Sequence, residues 1–163
     1  QLPSFQLINI HEVTEHISAL LEAEVQGKLA ITRDYDPSLP DLMGDREQLI
    51  QAVLNVARNA MQAILEGGGT EQKLTLKTRI QRSFTVGGVH HKTLCRLDII
   101  DTGPGISEDI KERIFFPMIT GRDGGTGLGL TIAQSAINLH QGIIECESEP
   151  GHTCFSIYLP IKA

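Results

Sequence analysis

Arg96-Leu97-Asp98-Ile99-Ile100-Asp101-Thr102-Gly103-Pro104-Gly105 is the stretch on which the fold turns. Its apolar, β-branched run reads as a buried strand, and the Gly-Pro-Gly that follows ends it. The strand therefore delivers Asp101 to a turn nearly free of side chains. A carboxylate held there can accept a hydrogen bond from the exocyclic amine of adenine. Guanine would present a carbonyl instead and set acceptor against acceptor. Taken alone, the same D-x-G-x-G also reads as an ordinary Asp-Thr-Gly turn.

Working upstream, a second strand over residues 73–85 precedes this one, with Val86-Gly87-Gly88-Val89 turning between them. Before it, Asp45 caps a predicted helix running to about residue 65. Leu49, Val53, Val56, Ala60 and Ile64 give that helix an apolar stripe of period 3.6. Gln51, Asn55, Asn59 and Gln62 line another face at spacings of four, four and three. A row of amides is compatible with a solvated surface, although Asn is a poor helix former. It is equally compatible with metal binding, because a carboxamide oxygen is a neutral ligand for a hard cation such as Mg²⁺.

Downstream, Gly121-Arg122-Asp123-Gly124-Gly125-Thr126-Gly127-Leu128-Gly129-Leu130 is a glycine-rich loop feeding a helix over 128–140. Backbone N–H groups at a helix start reached through glycines form an anion site; the alternative is a surface loop. It is not a P-loop, since no Gly-Lys-Ser/Thr follows. Nor is it a dinucleotide fingerprint, because Gly125, Gly127 and Gly129 are two apart throughout and no strand precedes them.

The remaining chain reads as a strand over 5–10, a helix over 11–26 stopped by Gly27, a strand over 29–34, a Pro-containing loop over 36–40, a short helix over 108–114, and closing strands over 142–147 and 153–159. This order implies an α+β two-layer sandwich: a mixed, mostly antiparallel sheet covered on one face by helices. Residues 1–26 are expected to pack as a lead-in to the same domain, with 27–163 forming its main body. Strand order is not readable from the pattern.

The 163 residues carry a net charge of −6 and no basic cluster, which argues against nucleic acid as a partner. No apolar run approaches the roughly 20 residues of a membrane-spanning helix, and no signal peptide is evident. A cytoplasmic protein without membrane attachment is expected, and an opening Gln1 is compatible with a piece of something longer. Cys95, Cys146 and Cys154 lack metal spacing and read as reduced thiols in strands. His90 and His91 are assigned to a hairpin loop, and His140 and His152 carry no signal.

Each motif is modest alone, but their order is specific. The Asn-bearing helix, D-x-G-x-G, Phe115-Phe116-Pro117-Met118 and Gly125-Thr126-Gly127-Leu128-Gly129-Leu130 together resemble the N, G1, F and G2 boxes of the gyrase, chaperone, histidine kinase and mismatch-repair (GHKL) ATP-binding superfamily. The likeness runs from residue 45 to 159. It implies ATP as ligand, with adenine on Asp101 and support from Gly103, Gly105, Ile106 and a water held by Thr153. It also implies Mg²⁺ on Asn59 with Asn55 beside it, and Thr120, Gly125, Thr126, Gly127, Leu128 and Gly129 around the phosphates. Arg58 is placed either at a phosphate oxygen or on the plain helix surface.

Residue 55 separates the branches. The hydrolytic members carry a Glu there as base for water, whereas an amide takes no proton; the histidine kinases carry Asn. The segments 33–40, 51–63 and 116–125 are similar to those of the bacterial nitrogen-regulation sensor kinases. That resemblance implies a cytoplasmic histidine kinase working with a dimerisation and phosphoacceptor histidine domain, an NtrC-type response regulator and a PII signalling protein. His11-Glu12 starts like a phosphoacceptor box but lacks the following basic residue and Pro, so His11 reads as a helix-start residue. The alternatives are a hydrolytic GHKL ATPase and a degenerate module that docks a regulator.

Overall fold

A computed structural model describes residues 2–67, 69, 71–113 and 127–161. The elements are β1 (Gln6–Ile8), α1 (Ile10–Val25), β2 (Ala30–Asp34), β3 (Leu42–Gly44), α2 (Arg46–Gly67), β4 (Lys73–Val86), β5 (Val89–Asp101), α3 (Glu108–Arg113), α4 (Gly127–Leu139), β6 (Ile143–Glu149) and β7 (His152–Pro160). Five strands form one sheet in the order β2-β4-β5-β7-β6, parallel only between β2 and β4. The two-layer α+β expectation holds.

Strand alternation sorts the sheet into two faces. Leu74, Leu76, Leu97, Ile99, Phe155 and Ile157 turn inward and are buried. Against them lie Ile17 and Leu21 of α1, Leu49, Val53, Val56 and Ile64 of α2, and Ile137 of α4. Burying each such side chain is worth about 1.5–3 kcal/mol. At the β6 edge, Glu145, Glu147 and Glu149 alternate on the opposite face and are exposed.

Several boundaries move for local reasons. The first strand ends at Ile8 because the Asn9 side chain accepts from His11 N–H at 2.9 Å and starts α1. His90 and His91 belong to β5, not to a loop, because the turn consumes only Gly87 and Gly88, both at positive φ (55° and 81°). Two such residues in succession are what a two-residue hairpin turn of the right twist requires. Strand β3, which the loop-like sequence concealed, pairs antiparallel with β1.

Asp45 caps α2 as expected. Its carboxylate accepts from Ser4 N–H at 2.8 Å and Gln48 N–H at 3.1 Å, and these bonds, Ser4 first, hold its pKa below the usual carboxylate range. His140 is far from unremarkable. Its ring is buried, stacks on Phe5 at 4.9 Å, accepts from Asp45 N–H at 3.0 Å through Nε2 and donates from Nδ1 to Ala136 O at 2.7 Å. It locks the end of α4 to the start of α2. Beyond it, Gln141 takes a left-handed φ of 61° while Gln141 and Gly142 N–H groups bond Asn138 and Ile137 carbonyls, a Schellman termination.

His11 is the second residue of α1, bonded to Thr78 Oγ1 at 2.8 Å and stacked on Tyr35. All three cysteines are unpaired strand residues; burial pushes the Cys95 and Cys146 thiols up to about 12. Among the described residues, no helix is long and apolar enough to cross a membrane.

Candidate nucleotide site

The site is assembled where one face of α2 meets the turn after β5. Asn55, Asn59, Ala63 and Gly67 recur every four residues and so share that face. Its C-terminal half receives the turn. A Cβ on Gly103 would sit 3.3 Å from the Ala63 Cβ and 2.9 Å from Asp101 Oδ1, and one on Gly67 would meet Pro104 Cδ at 2.8 Å. Small residues on both sides are thus what lets helix and turn touch.

The turn is held from the other side by the β6–β7 hairpin. Gly103 O accepts from Gly151 N–H at 3.0 Å, and Ser148 Oγ accepts from Ile106 N–H at 2.8 Å. Gly105 adopts φ +94°, and an added Cβ would lie 3.0 Å from Glu149 O, so position 105 needs glycine on both counts. Thr102 faces the start of β4, where its Oγ1 accepts from Lys73 N–H and donates to Glu71 O.

Asp101 ends β5 directly opposite Thr153 on β7, and both side chains are buried on the helix side of the sheet. One carboxylate oxygen, Oδ1, accepts from Gly103 N–H at 2.9 Å, which closes the turn and fixes the carboxylate's orientation. The Thr153 hydroxyl bonds Ser148 Oγ at 2.6 Å. Asp101 and Gly103 thus share one hydrogen bond, Ile106 and Thr153 are joined through Ser148, and Gly105 lies between them in the turn.

Asn59 Nδ2 donates to Asn55 O at 2.7 Å. This uses the nitrogen end of the amide, so a cation contact would be made by Oδ1. Among the described residues, no three His, Cys, Asp or Glu side chains gather into a metal site. A magnesium ion here would take neutral amide oxygen, water and phosphate oxygens, a donor set that Mg²⁺ accepts.

Arg58 has an acidic partner in the structure. Its guanidinium is paired with Glu24 of α1, in a partly exposed contact on the margin of the α2 face. Arg58→Ala is accordingly expected to change nucleotide affinity by less than about twofold and stability by less than about 1 kcal/mol, as for surface ion pairs. Titration calorimetry and thermal melting check both.

Gly127, Leu128 and Gly129 form the first turn of α4, which packs on α2. Phe115, Phe116, Thr120, Gly125 and Thr126 lie outside the described residues. Sequence reasoning missed Ser148, Ala63 and Gly67. The available signals were two hydroxyl residues on inward positions flanking Pro150-Gly151, and continuation of the every-fourth-residue pattern beyond Asn59.

Comparison with known proteins identifies the family of the chain. The family described as histidine kinase-, DNA gyrase B-, and HSP90-like ATPase matches residues 44–163. The sensory histidine kinase/phosphatase NtrB of Klebsiella oxytoca is 47% identical over 94% of the chain, and that of Escherichia coli O157:H7 is 44% identical over 99%. The chain spans 43% and 46% of those two proteins' lengths. Among solved structures, the catalytic domain of histidine kinase ThkA superposes with a TM-score of 0.79 at 25% identity, covering 98% of this chain and 99% of that one. The turn glycines, the buried Asp101 and the amide-bearing helix stand inside the matched segment, and the chain belongs to the histidine kinase-, DNA gyrase B- and HSP90-like ATPase family.

Proposed function

We propose that this chain is the ATP-binding catalytic domain of an NtrB-type sensor histidine kinase, transferring the γ-phosphoryl group of Mg-ATP to a histidine on a separate dimerisation domain. The observation that carries the kinase reading is Asn55, an amide where hydrolytic relatives place a basic carboxylate, one turn before Asn59. The names of the 44–47% identical relatives support the nitrogen-regulation branch. An NtrC-type response regulator and a PII signalling protein are the corresponding partners, in the cytoplasm.

In this reading Asp101 accepts the adenine amine, with the Gly103–Gly105 backbone admitting the flat base. Thr153 donates to the neighbouring ring nitrogen, directly or through one water. Asn59 and Asn55 hold the cation side of the phosphates, and the start of α4 supplies backbone N–H groups to their anionic oxygens. The chemistry that Mg²⁺ would supply there, when bound, is neutralisation of phosphate charge. The bond from γ-phosphorus to the β,γ-bridging oxygen breaks, ADP keeps the electron pair, and a phosphorus–nitrogen bond forms to the acceptor imidazole. The imidazole proton passes to a base on the acceptor domain. Transfer of this kind needs positioning and charge neutralisation above all. His11 is no substitute acceptor, being engaged with Thr78 and Tyr35.

The test is a transfer assay with γ-labelled Mg-ATP and the separately produced phosphoacceptor domain of an NtrB relative. Acid-labile label is expected on the acceptor and none on this chain. Phosphate release by the chain alone should run at least about 100-fold below that of a hydrolytic relative, the contribution of a missing general base. Steady phosphate release without acceptor would assign the chain to the hydrolases instead. Absence of nucleotide binding would leave a docking module.

A further inference from the structure

We propose that Ser148 is a positioning residue that orients the Thr153 hydroxyl toward the purine and so sets the preference of the site for adenine. This inference rests on the nucleotide reading above.

A serine hydroxyl has one proton to donate and two lone pairs. At Ser148 the first lone pair is taken by Ile106 N–H at 2.8 Å, and a backbone amide can only donate. The remaining neighbour is Thr153 Oγ1 at 2.6 Å, where either oxygen could supply the proton. If Thr153 donated, Ser148 would receive two protons and its own would lack a partner in a half-buried position, which is unfavourable. If Ser148 donates, its own bonds are complete, and the proton of the buried Thr153 hydroxyl is left for a bound base to accept. The chain then runs one way, from Ile106 N–H through Ser148 to Thr153, and bonds so aligned strengthen each other.

The consequence appears at the ligand. Thr153 stands directly across the β5–β7 ladder from Asp101. With its oxygen occupied by the Ser148 proton, Thr153 presents a donor beside the acceptor carboxylate. Donor next to acceptor complements the adenine edge, whose ring N1 accepts and whose amine donates. Guanine carries the reverse pair, N1–H and a carbonyl. Asp101 and the Ser148-directed Thr153 thus read two adjacent atoms of the base. The anchor of the relay is Ile106, part of the turn that contains Gly103 and Gly105, so turn position and hydroxyl direction are set together.

The experiment compares ATP with 1-deaza-ATP, which lacks the N1 acceptor, by titration calorimetry on the whole chain. Wild type is expected to favour ATP by about tenfold, the worth of one such hydrogen bond. In Ser148→Ala that ratio should fall toward one, with 1-deaza-ATP affinity nearly unchanged; Ser148→Thr, which restores a hydroxyl, should recover it. Thermal melting establishes that each variant is folded. Ser148→Cys, near in shape with a weak donor, gives the same comparison if the alanine variant does not fold. Equal weakening of both nucleotides would mean that Ser148 only braces the turn, and the relay is then wrong. Equal wild-type affinities for the two nucleotides would also overturn it. A wild-type chain that binds neither removes the nucleotide reading itself, an outcome distinct from both.

Discussion

Asp101→Asn is expected to lose ATP binding by at least about 100-fold, as for loss of a charge-assisted hydrogen bond made worse by donor facing donor. The turn itself dictates the orientation of the new amide. Gly103 N–H needs an acceptor at the position of Oδ1, 2.9 Å away. A carboxylate offers acceptors at both ends, but an amide has only one, and the turn claims it. The NH₂ group is then left at the other end, toward the adenine amine. Burial of residue 101 removes water as an alternative partner. Because the turn keeps its hydrogen bond, the variant should fold with a melting temperature close to wild type. Calorimetry showing unaltered ATP affinity would end the assignment of adenine to Asp101.

Gly142→Ala should be the most damaging single-methyl change for stability, at about 3 kcal/mol, the upper range of overpacking costs. Positive φ is not the reason, since residue 142 has an ordinary backbone. An added Cβ would collide with Tyr158 O, with Ile137 Cγ2 at 3.0 Å and Leu159 Cδ2 at 3.2 Å. The obstructing atom is a carbonyl of β7, a strand paired on both sides by β5 and β6, so relief requires moving the ladder. Gly142 also gives its N–H to Ile137 O at the end of α4 and leads straight into β6. For a domain of this size the loss corresponds to a fall of about 10 °C in melting temperature. A fall of less than about 2 °C would show that the close approach is not real.

Much of this was legible in the sequence because the signals were local. The α2 stripe, the Asp45 cap and the glycine pair at 87–88 each depend on residues a few positions apart, and each lies where expected. The strand that carries Asp101 and the helix that carries Asn55 and Asn59 also lie where the motif order placed them. What stayed hidden depends on distant partners. Strand β3 is three residues long and exists because β1 pairs with it across more than 30 positions. His140 acquires its role from Phe5 and Asp45, the nearer of them 95 positions away. The ion pair of Arg58 was hidden in the same way, because Glu24 stands on another helix, α1. Ser148 gave no motif, and its importance comes from Ile106, 42 residues earlier.

The acidic β6 border bears on how copies of this protein meet. An open sheet margin offers unpaired backbone groups to any passing strand. Here such an addition would bring the three alternating glutamates of one molecule against those of another at neutral pH, where repulsion opposes it. Stacking by shared sheets along this margin is thereby discouraged.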